Sequence, residues 1–457
     1  MTSDTLRLPA QAESPPPGEE TMISGETIVC FSRSDWDAEL VSNRYHTLTR
    51  FARRNRVILF EQPFELARLA RPSRAKLQAW AKVRRGAVRR HEGVITIQPF
   101  WLWAYEGSPF LTQLNLRLYQ AQVRAWFRRL GFTHPVSHPP THPHPPSPHL
   151  PLPASGRGPG GGVTPILWFY DHRLWPLTAL PHKLACYHCT EDYAGLAGHG
   201  AGPKLAEVVR AEERRLLERV DLVFAVSPGL TEDKRAVNPS SHLVANGVDA
   251  ELYARPHVCG PACADVRELP RPILGYTGNV SYKLDFRLLD QVAAAYPHGS
   301  VVLVGPVAGV DDAEAFRKFS ARPNVHLLGR RAVAELPSLV AHYDVCLIPF
   351  ILSDWFVRVA QPLKTFEYLA AGKPVVSTYL TNLEPLGDLI YVSRTPAELI
   401  ASIGAALEEP DAEARRERRV ATARTNDWDH RFTAMNYLMS ERLSRRQCDG
   451  KFGSGRH

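Results

Sequence analysis

Pro362-Leu363-Lys364-Thr365-Phe366-Glu367-Tyr368-Leu369-Ala370-Ala371-Gly372-Lys373-Pro374-Val375-Val376 is the stretch on which the fold turns. Proline suits the start of a helix and Gly372 followed by Pro374 stops one, so residues 363–371 are expected as a short helix. The apolar runs on either side, 344–348 and 374–377, read as buried strands, and strand-helix-strand at this spacing implies a parallel sheet. Residues three apart share a helix face, so Lys364 and Glu367 point the same way. A lysine in the first turn opposes the positive end of the helix dipole unless an anion sits there. The pair therefore suits a phosphate and a sugar hydroxyl. The plainer alternative is a surface lysine beside a solvated glutamate, with Phe366, Leu369 and Ala370 filling a core face.

The same rhythm extends in both directions. Strands are expected at 272–276, 300–304, 324–328 and 389–392, and before them at 27–31, 56–60, 165–170, 183–187 and 221–226, with helical stretches between. A proline- and cysteine-bearing connector at 258–271 reads as a hinge. The fold class expected is α/β, with two doubly wound Rossmann-like domains facing a cleft, at 24–260 and 261–446. The polar ends, 1–23 and 447–457, are expected to be disordered tails. Residues 134–162, dense in Pro, His and Gly, can neither pack as core nor pair as strand, and read as a disordered insert. Without it, the preceding helix and the strand at 165–170 are joined by the usual short link.

With 457 residues, 44% hydrophobic and 22% charged, the chain has the composition of a soluble protein with more than one core. No apolar run approaches membrane-spanning length and the N-terminus lacks a secretory layout, so a cytoplasmic location is expected. Seven scattered cysteines predict reduced thiols rather than a disulfide framework. The spacings Cys186/Cys189 and Cys259/Cys263 permit zinc but lack the glycine-rich turns of a knuckle, and no metal is expected. A net charge of +8 and a pI near 9.1 permit anionic partners. Residues 66–91 hold nine Lys and Arg, no acidic residue, and interleaved Leu69, Leu77, Trp80 and Val83. This stretch reads either as an amphipathic helix lying on an anionic membrane surface or as a solvated basic face. No nucleic-acid-binding motif accompanies it.

In open parallel sheets ligands bind beyond the carboxyl ends of the strands. Thr277-Gly278-Asn279-Val280-Ser281-Tyr282-Lys283 there has a phosphate-binding composition, with Gly278 allowing close backbone approach, but no P-loop signature. Gly305-Pro306, Gly329-Arg330-Arg331 and residues 349–360 end neighbouring strands. The succession Gly275-Tyr276-Thr277-Gly278, Val304-Gly305, Asn324-Val325-His326-Leu327-Leu328-Gly329, Ile348-Pro349-Phe350 and 362–376 resembles the nucleotide-binding domain of GT-B glycosyltransferases, most nearly family 4 and teichuronic-acid-type transferases. Asn43-Arg44-Tyr45-His46, Phe60-Glu61-Gln62-Pro63, Trp168-Phe169-Tyr170, Tyr187-His188-Cys189-Thr190-Glu191-Asp192-Tyr193 and Asn246-Gly247-Val248-Asp249 stand in the order of such proteins.

That resemblance implies transfer of a sugar from a nucleotide diphosphate sugar to a glycan or lipid-linked acceptor of the cell envelope, with retained configuration. It implies Glu367 on the ribose hydroxyls, Lys364 and Lys283 on the diphosphate, and the backbone at Leu328 and Gly329 on the base. Where family 4 commonly has a second glutamate, eight residues before Glu367, this chain has Val359, with Asp354 in the same loop. Positioned lysines and helix amides can stabilise a departing diphosphate, so neither metal nor other cofactor is required. Glu191, Asp192 and His46 are the candidate catalytic residues on the acceptor side, with Asp171 and His188 as further contacts. Each has a plainer reading, because aspartates cap helices and a lone histidine is usually packed. A nucleotide-sugar epimerase on the same fold, and a non-catalytic nucleotide-binding protein at the membrane, are the alternatives. The strand ends carry no G-x-G-x-x-G, which disfavours a dinucleotide oxidoreductase.

Overall fold

The structure, a computed structural model, describes residues 22–32, 36, 42–70, 73–84, 88–102, 109–133, 163–254 and 261–448. It forms two compact units. The first takes the described residues up to Val226, then Leu230–Val244 and the chain from Phe432 onward; the second takes Ser227–Gly229 and Ala245–Arg431.

In the first unit the strands are β1 (Thr27–Phe31), β2 (Arg56–Phe60), β3 (Phe64–Glu65), β4 (Val88–His91), β5 (Val94–Ile97), β6 (Phe100–Trp101), β7 (Ile166–Phe169), β8 (Leu184–Cys189), β9 (Leu222–Ala225) and β10 (Ser241–Leu243). Eight of them form one sheet in the order β10-β9-β8-β7-β1-β2-β5-β4, while β3 and β6 pair separately. All neighbours in the large sheet run parallel except β4 and β5. Every residue of β1, β7, β8 and β9 is buried, as strands covered on both faces must be.

The second unit holds β11 (Ile273–Thr277), β12 (Ser300–Val304), β13 (Val325–Gly329), β14 (Val345–Ile348), β15 (Val375–Thr378) and β16 (Tyr391–Ser393), all parallel, in the order β13-β12-β11-β14-β15-β16. The chain builds outward from β11 to β13, then returns to the other side at β14. The carboxyl ends of β11 and β14 are thus a topological switch point, where such sheets open a crevice. In the first unit the same reversal falls between β1 and β7.

Several expectations are corrected. Residues 66–91 do not form one basic helix: a 3-10 turn spans Leu66–Ala70, a helix spans Arg74–Arg84, and Val88–His91 is strand β4. Glu92 and Gly93, at φ 47° and 84°, make the two-residue turn of an antiparallel hairpin with β5. The divide between units lies at 244/245, not at 260/261, because Val248, Ala250 and Tyr253 belong to the second core. The chain also returns: Phe432, Met435 and Met439, on the helix Trp428–Cys448, pack in the first core. Met22 and Ile23, expected in a tail, pack against that same core.

Residues 1–21 and 134–162 lie outside the described residues, as do 449–457 of the expected C-terminal tail. Cys263 is disulfide-bonded, contrary to the expectation of reduced thiols throughout, whereas Cys30, Cys186, Cys189 and Cys346 are free and buried. Among the described residues, no helix is long and apolar enough to cross a membrane.

Candidate functional site

The site of the second unit is assembled from loops stitched to one another by backbone hydrogen bonds. Gly278 N–H donates to Val304 O at 2.9 Å, Val280 N–H to Pro306 O at 3.0 Å, and Gly305 N–H to Gly329 O at 2.8 Å. The loops after β11, β12 and β13 are thereby one continuous rim. Gly305, at φ 148°, lets that rim close: a Cβ there would lie 1.9 Å from the carbonyl oxygen of Gly278. Gly278, at φ 135°, leaves room for Lys364, since a Cβ on it would lie 3.2 Å from Cε and 3.4 Å from Nζ of that lysine. On the other side Ile351 N–H donates to Lys283 O at 2.9 Å and Asp285 N–H to Pro349 O at 2.9 Å. These bonds hold Lys283 between the ends of β11 and β14.

The expected helix is present as Leu363–Ala370, with Thr365, Phe366, Tyr368, Leu369 and Ala370 buried and no acidic residue in its first turn. Lys364 and Glu367 are half-buried on its other face. The Lys364 ammonium sits 5.0 Å from the Tyr276 ring centroid and 4.9 Å from that of Phe350, a cation–π environment that holds the charge without neutralising it. Lys283 lies 5.8 Å from the ring of Phe356. Burial pulls the Lys364 pKa down to about 8, with Glu367 opposing that shift and the Lys283 charge adding to it. Burial likewise raises the Glu367 carboxyl, against the pull of Lys364 and of a hydrogen bond from Tyr253. Two cations close enough to repel, beside a partly desolvated carboxylate, form a site that an anion with an adjacent diol would satisfy.

Leu328 and Gly329 end β13. Val304 pairs with Gly329 and Leu303 with Leu327, so Leu328 is the extra residue of a β-bulge. A bulge re-aims the backbone locally. Gly278, Lys283, Lys364 and Glu367 are therefore brought together, and Leu328 and Gly329 stand on the same rim. Val359 is buried at the end of the helix Asp354–Val359, and Asp354 is exposed in that helix's first turn.

Two supporting residues escaped sequence reasoning. The Tyr368 hydroxyl accepts from Thr277 N–H at 2.8 Å and lies 3.1 Å from the Thr277 hydroxyl, latching the helix to β11. Tyr253 reaches Glu367 from a distant helix, Ala250–Ala254. Tyr368 directly follows Glu367 in the sequence, which left a signal for the first; no local pattern marks the second.

In the first unit the candidates follow different strands. His46 is half-buried on the helix Asn43–Ala52, with Nδ1 3.5 Å from Arg50 Nη1. Glu191 and Asp192 follow β8, and β7 stands between β8 and β1. Asp192 caps the helix Tyr193–Ala201 by accepting from Gly195 N–H at 3.0 Å, and the Glu191 carbonyl accepts from the Cys189 thiol at 3.4 Å. Asp171 caps a 3-10 turn and binds Arg173 through both carboxylate oxygens. His188 is wholly buried among Trp168, Tyr170 and Phe224, and burial lowers its pKa to about 3. It is a core residue, which removes it from the acceptor contacts. Cys186 and Cys189, three apart on β8, face opposite sides of the sheet and cannot share a metal. Among the described residues, no group of three or more His, Cys, Asp and Glu is placed to hold a metal ion.

Residues 271–409 match the family described as glycosyl transferases group 1. TuaH of Bacillus subtilis (strain 168), named for a glycosyltransferase role in teichuronic acid biosynthesis, is 31% identical over 255 residues, which are 53% of this chain and 63% of that protein. The chain thus spans less than two thirds of the length of that curated relative. Among solved structures, a sucrose-phosphate synthase from Thermosynechococcus elongatus superposes with a TM-score of 0.63 at 16% identity, over 93% of this chain and all of that one. HepE of Anabaena, solved in complex with UDP and glucose, gives a TM-score of 0.56 at 16% identity, over 91% of this chain and 99% of that one. These likenesses, with one largely parallel and one wholly parallel sheet, make the fold GT-B.

Proposed function

We propose, from a GT-B fold that carries a glycosyl transferases group 1 domain, that this protein is a glycosyltransferase. It moves a sugar from a nucleotide diphosphate sugar to a glycan or lipid-linked acceptor in cell-envelope polysaccharide synthesis. The observation that carries the reading is the meeting of Lys364, Lys283, Glu367 and Gly278 at the switch point between β11 and β14. Lys364 and Lys283 hold the diphosphate, Glu367 holds the ribose hydroxyls, and the bulged backbone at Leu328 and Gly329 faces the base.

The chemistry is displacement at the anomeric carbon. The bond from C1 to the diphosphate oxygen breaks, a bond from the acceptor oxygen to C1 forms, and the acceptor proton passes to the departing phosphate with configuration retained. Charge develops on the diphosphate, where two ammonium groups preorganised by aromatic rings are most effective. The reading gives no role to a divalent ion. Glu191 and Asp192, with His46, are assigned to the acceptor. The work takes place in the cytoplasm, and the basic helix Arg74–Arg84 brings the protein to an anionic membrane surface where a lipid-linked acceptor resides.

The test is incubation of purified protein with a panel of nucleotide sugars and envelope glycan acceptors. Release of nucleoside diphosphate together with a new glycoside is expected. A changed sugar still attached to its nucleotide would favour epimerisation instead. Absence of binding, hydrolysis and transfer with every donor overturns the reading.

A further inference from the structure

Beneath the acceptor-side candidates of the first unit lies a buried ion pair. Lys234 Nζ donates to Glu213 Oε2 at 2.7 Å, and both residues are almost wholly inaccessible, at 6% and 4% exposure. The other oxygen of Glu213 accepts from the Tyr187 hydroxyl at 2.8 Å and stands 3.7 Å from the Cys189 thiol. Tyr187 and Cys189 are the same face of β8, and Cys189 is its last residue. One carboxylate therefore ties the carboxyl end of β8 to the helices Pro203–Leu217 and Pro228–Arg235. Burial raises the Cys189 thiol to about 12, so it stays protonated, a donor and not a nucleophile.

The helix that follows is weak by its own sequence. Tyr193–Ala201 carries Gly195, Gly198 and Gly200 in nine residues, and Ala194 is its one fully buried residue. Glycine is among the poorest helix formers, and a helix this short does not persist alone. Its order therefore comes from outside it, from the Asp192 cap and from the helix Pro203–Leu217 that carries Glu213, against which it packs closely enough that a Cβ on Gly198 would lie 3.3 Å from that of Ala206. A buried ion pair adds little net stability relative to an apolar substitute, whereas it fixes geometry.

We propose that the Glu213–Lys234 pair is a positioning device for acceptor recognition: by holding the end of β8 it locks the Cys189–Asp192 turn and orders the glycine-rich helix behind it. Glu191 and Asp192 then meet the acceptor in one orientation. This rests on the acceptor-side role proposed for those two residues. Glu213 and Lys234 touch no substrate; they act through the turn.

The test uses the full-length double variant Glu213→Gln/Lys234→Met, which removes both charges while keeping volume and a partner for Tyr187. Lys234→Met alone strands a buried carboxylate and serves as the disruptive comparison. Hydrogen exchange in residues 190–201 is expected to accelerate at least tenfold in the double variant, with exchange in β1, β7 and Leu363–Ala370 unchanged. UDP affinity is expected to stay at the wild-type value, while the acceptor KM rises at least tenfold with a smaller change in kcat. Unchanged exchange at 190–201, or loosening shared by the whole unit, overturns the positioning proposal and leaves the transferase reading standing. Local loosening with an unaltered acceptor KM overturns its link to the acceptor. Wild-type protein that transfers from no donor overturns the transferase reading, and the acceptor role with it.

Discussion

Lys364 carries the most specific consequence at the level of single residues. Its pKa of about 8 in the folded protein lies below the 10.5 of a free lysine, because the site is partly desolvated and Lys283 is near. The folded chain thus binds fewer protons than the unfolded one between those values, so the lysine's penalty on stability is relieved as pH rises from about 8 to 10.5. A bound diphosphate acts oppositely and pulls the pKa back up. Affinity for a nucleoside diphosphate should therefore be flat below about pH 8 and fall above it, by up to about tenfold per pH unit. Calorimetry in buffers of different ionisation enthalpy should show proton uptake on UDP binding at pH 8.5 and little at pH 6.5; equal values would contradict the placement of the diphosphate on Lys364. Gly305 gives a second expectation. A Cβ 1.9 Å from the Gly278 carbonyl forces the rim apart, so Gly305→Ala should cost about 3 kcal/mol and weaken UDP binding, read by chemical denaturation and titration. A wild-type midpoint would show that the rim yields freely. Lys364 and Glu367 were legible because helix spacing is local. Tyr253 was not, since only the fold carries it to Glu367 from 114 residues away.

Among elements, the strands of the second unit were legible because they are short, largely apolar runs, the first four of them closed by glycine or proline, and the observed ends differ from expectation by at most two residues. The hairpin of β4 and β5 was missed for a physical reason. Arg89 and Arg90 lie on an edge strand, where charge is common and the alternation of a buried strand is lost. Arg89 reaches the buried Glu61 at 2.6 Å, so part of the basic stretch is spent inside the fold. What remains is the helix Arg74–Arg84. Trp80 fastens it to the body by stacking on Phe64 at 5.8 Å and packing edge-on against Phe100 at 5.3 Å. Leu77 is left 51% exposed, with Arg74 and Arg84 exposed as well. Each basic residue near an anionic bilayer contributes about 1 kcal/mol, so Arg74→Gln/Arg84→Gln should weaken binding to phosphatidylserine vesicles roughly 30-fold at low salt. Vesicle sedimentation measures it. Wild-type protein that ignores such vesicles would make the helix a solvated face.

At the scale of the whole molecule, the parallel order and the two units followed from the βα rhythm, but their divide did not. A boundary is set by which core a segment joins, and neither the placement of Val248 and Tyr253 in the second core nor the return of Phe432 to the first is a local property. The flanks of the insert expected at 134–162 are joined to each other. Phe132 and Val163 form a parallel bridge, Thr133 N–H donates to Val163 O at 3.1 Å, and the Thr164 hydroxyl donates to Thr133 O at 3.1 Å. The helix Pro109–Arg129 therefore meets the entry to β7 through hydrogen bonds made by the flanks themselves. Loop-closure entropy changes slowly with length, each doubling costing about 0.6 kcal/mol, so shortening this connection should stabilise the unit slightly if it changes anything. Replacing residues 134–162 by a linker of roughly four Gly and Ser residues should leave the thermal midpoint within a few degrees and the UDP affinity intact. A cooperative loss of several degrees would mean that the excised residues contribute packing to the first unit; retained stability with lost transfer would assign them to the acceptor instead.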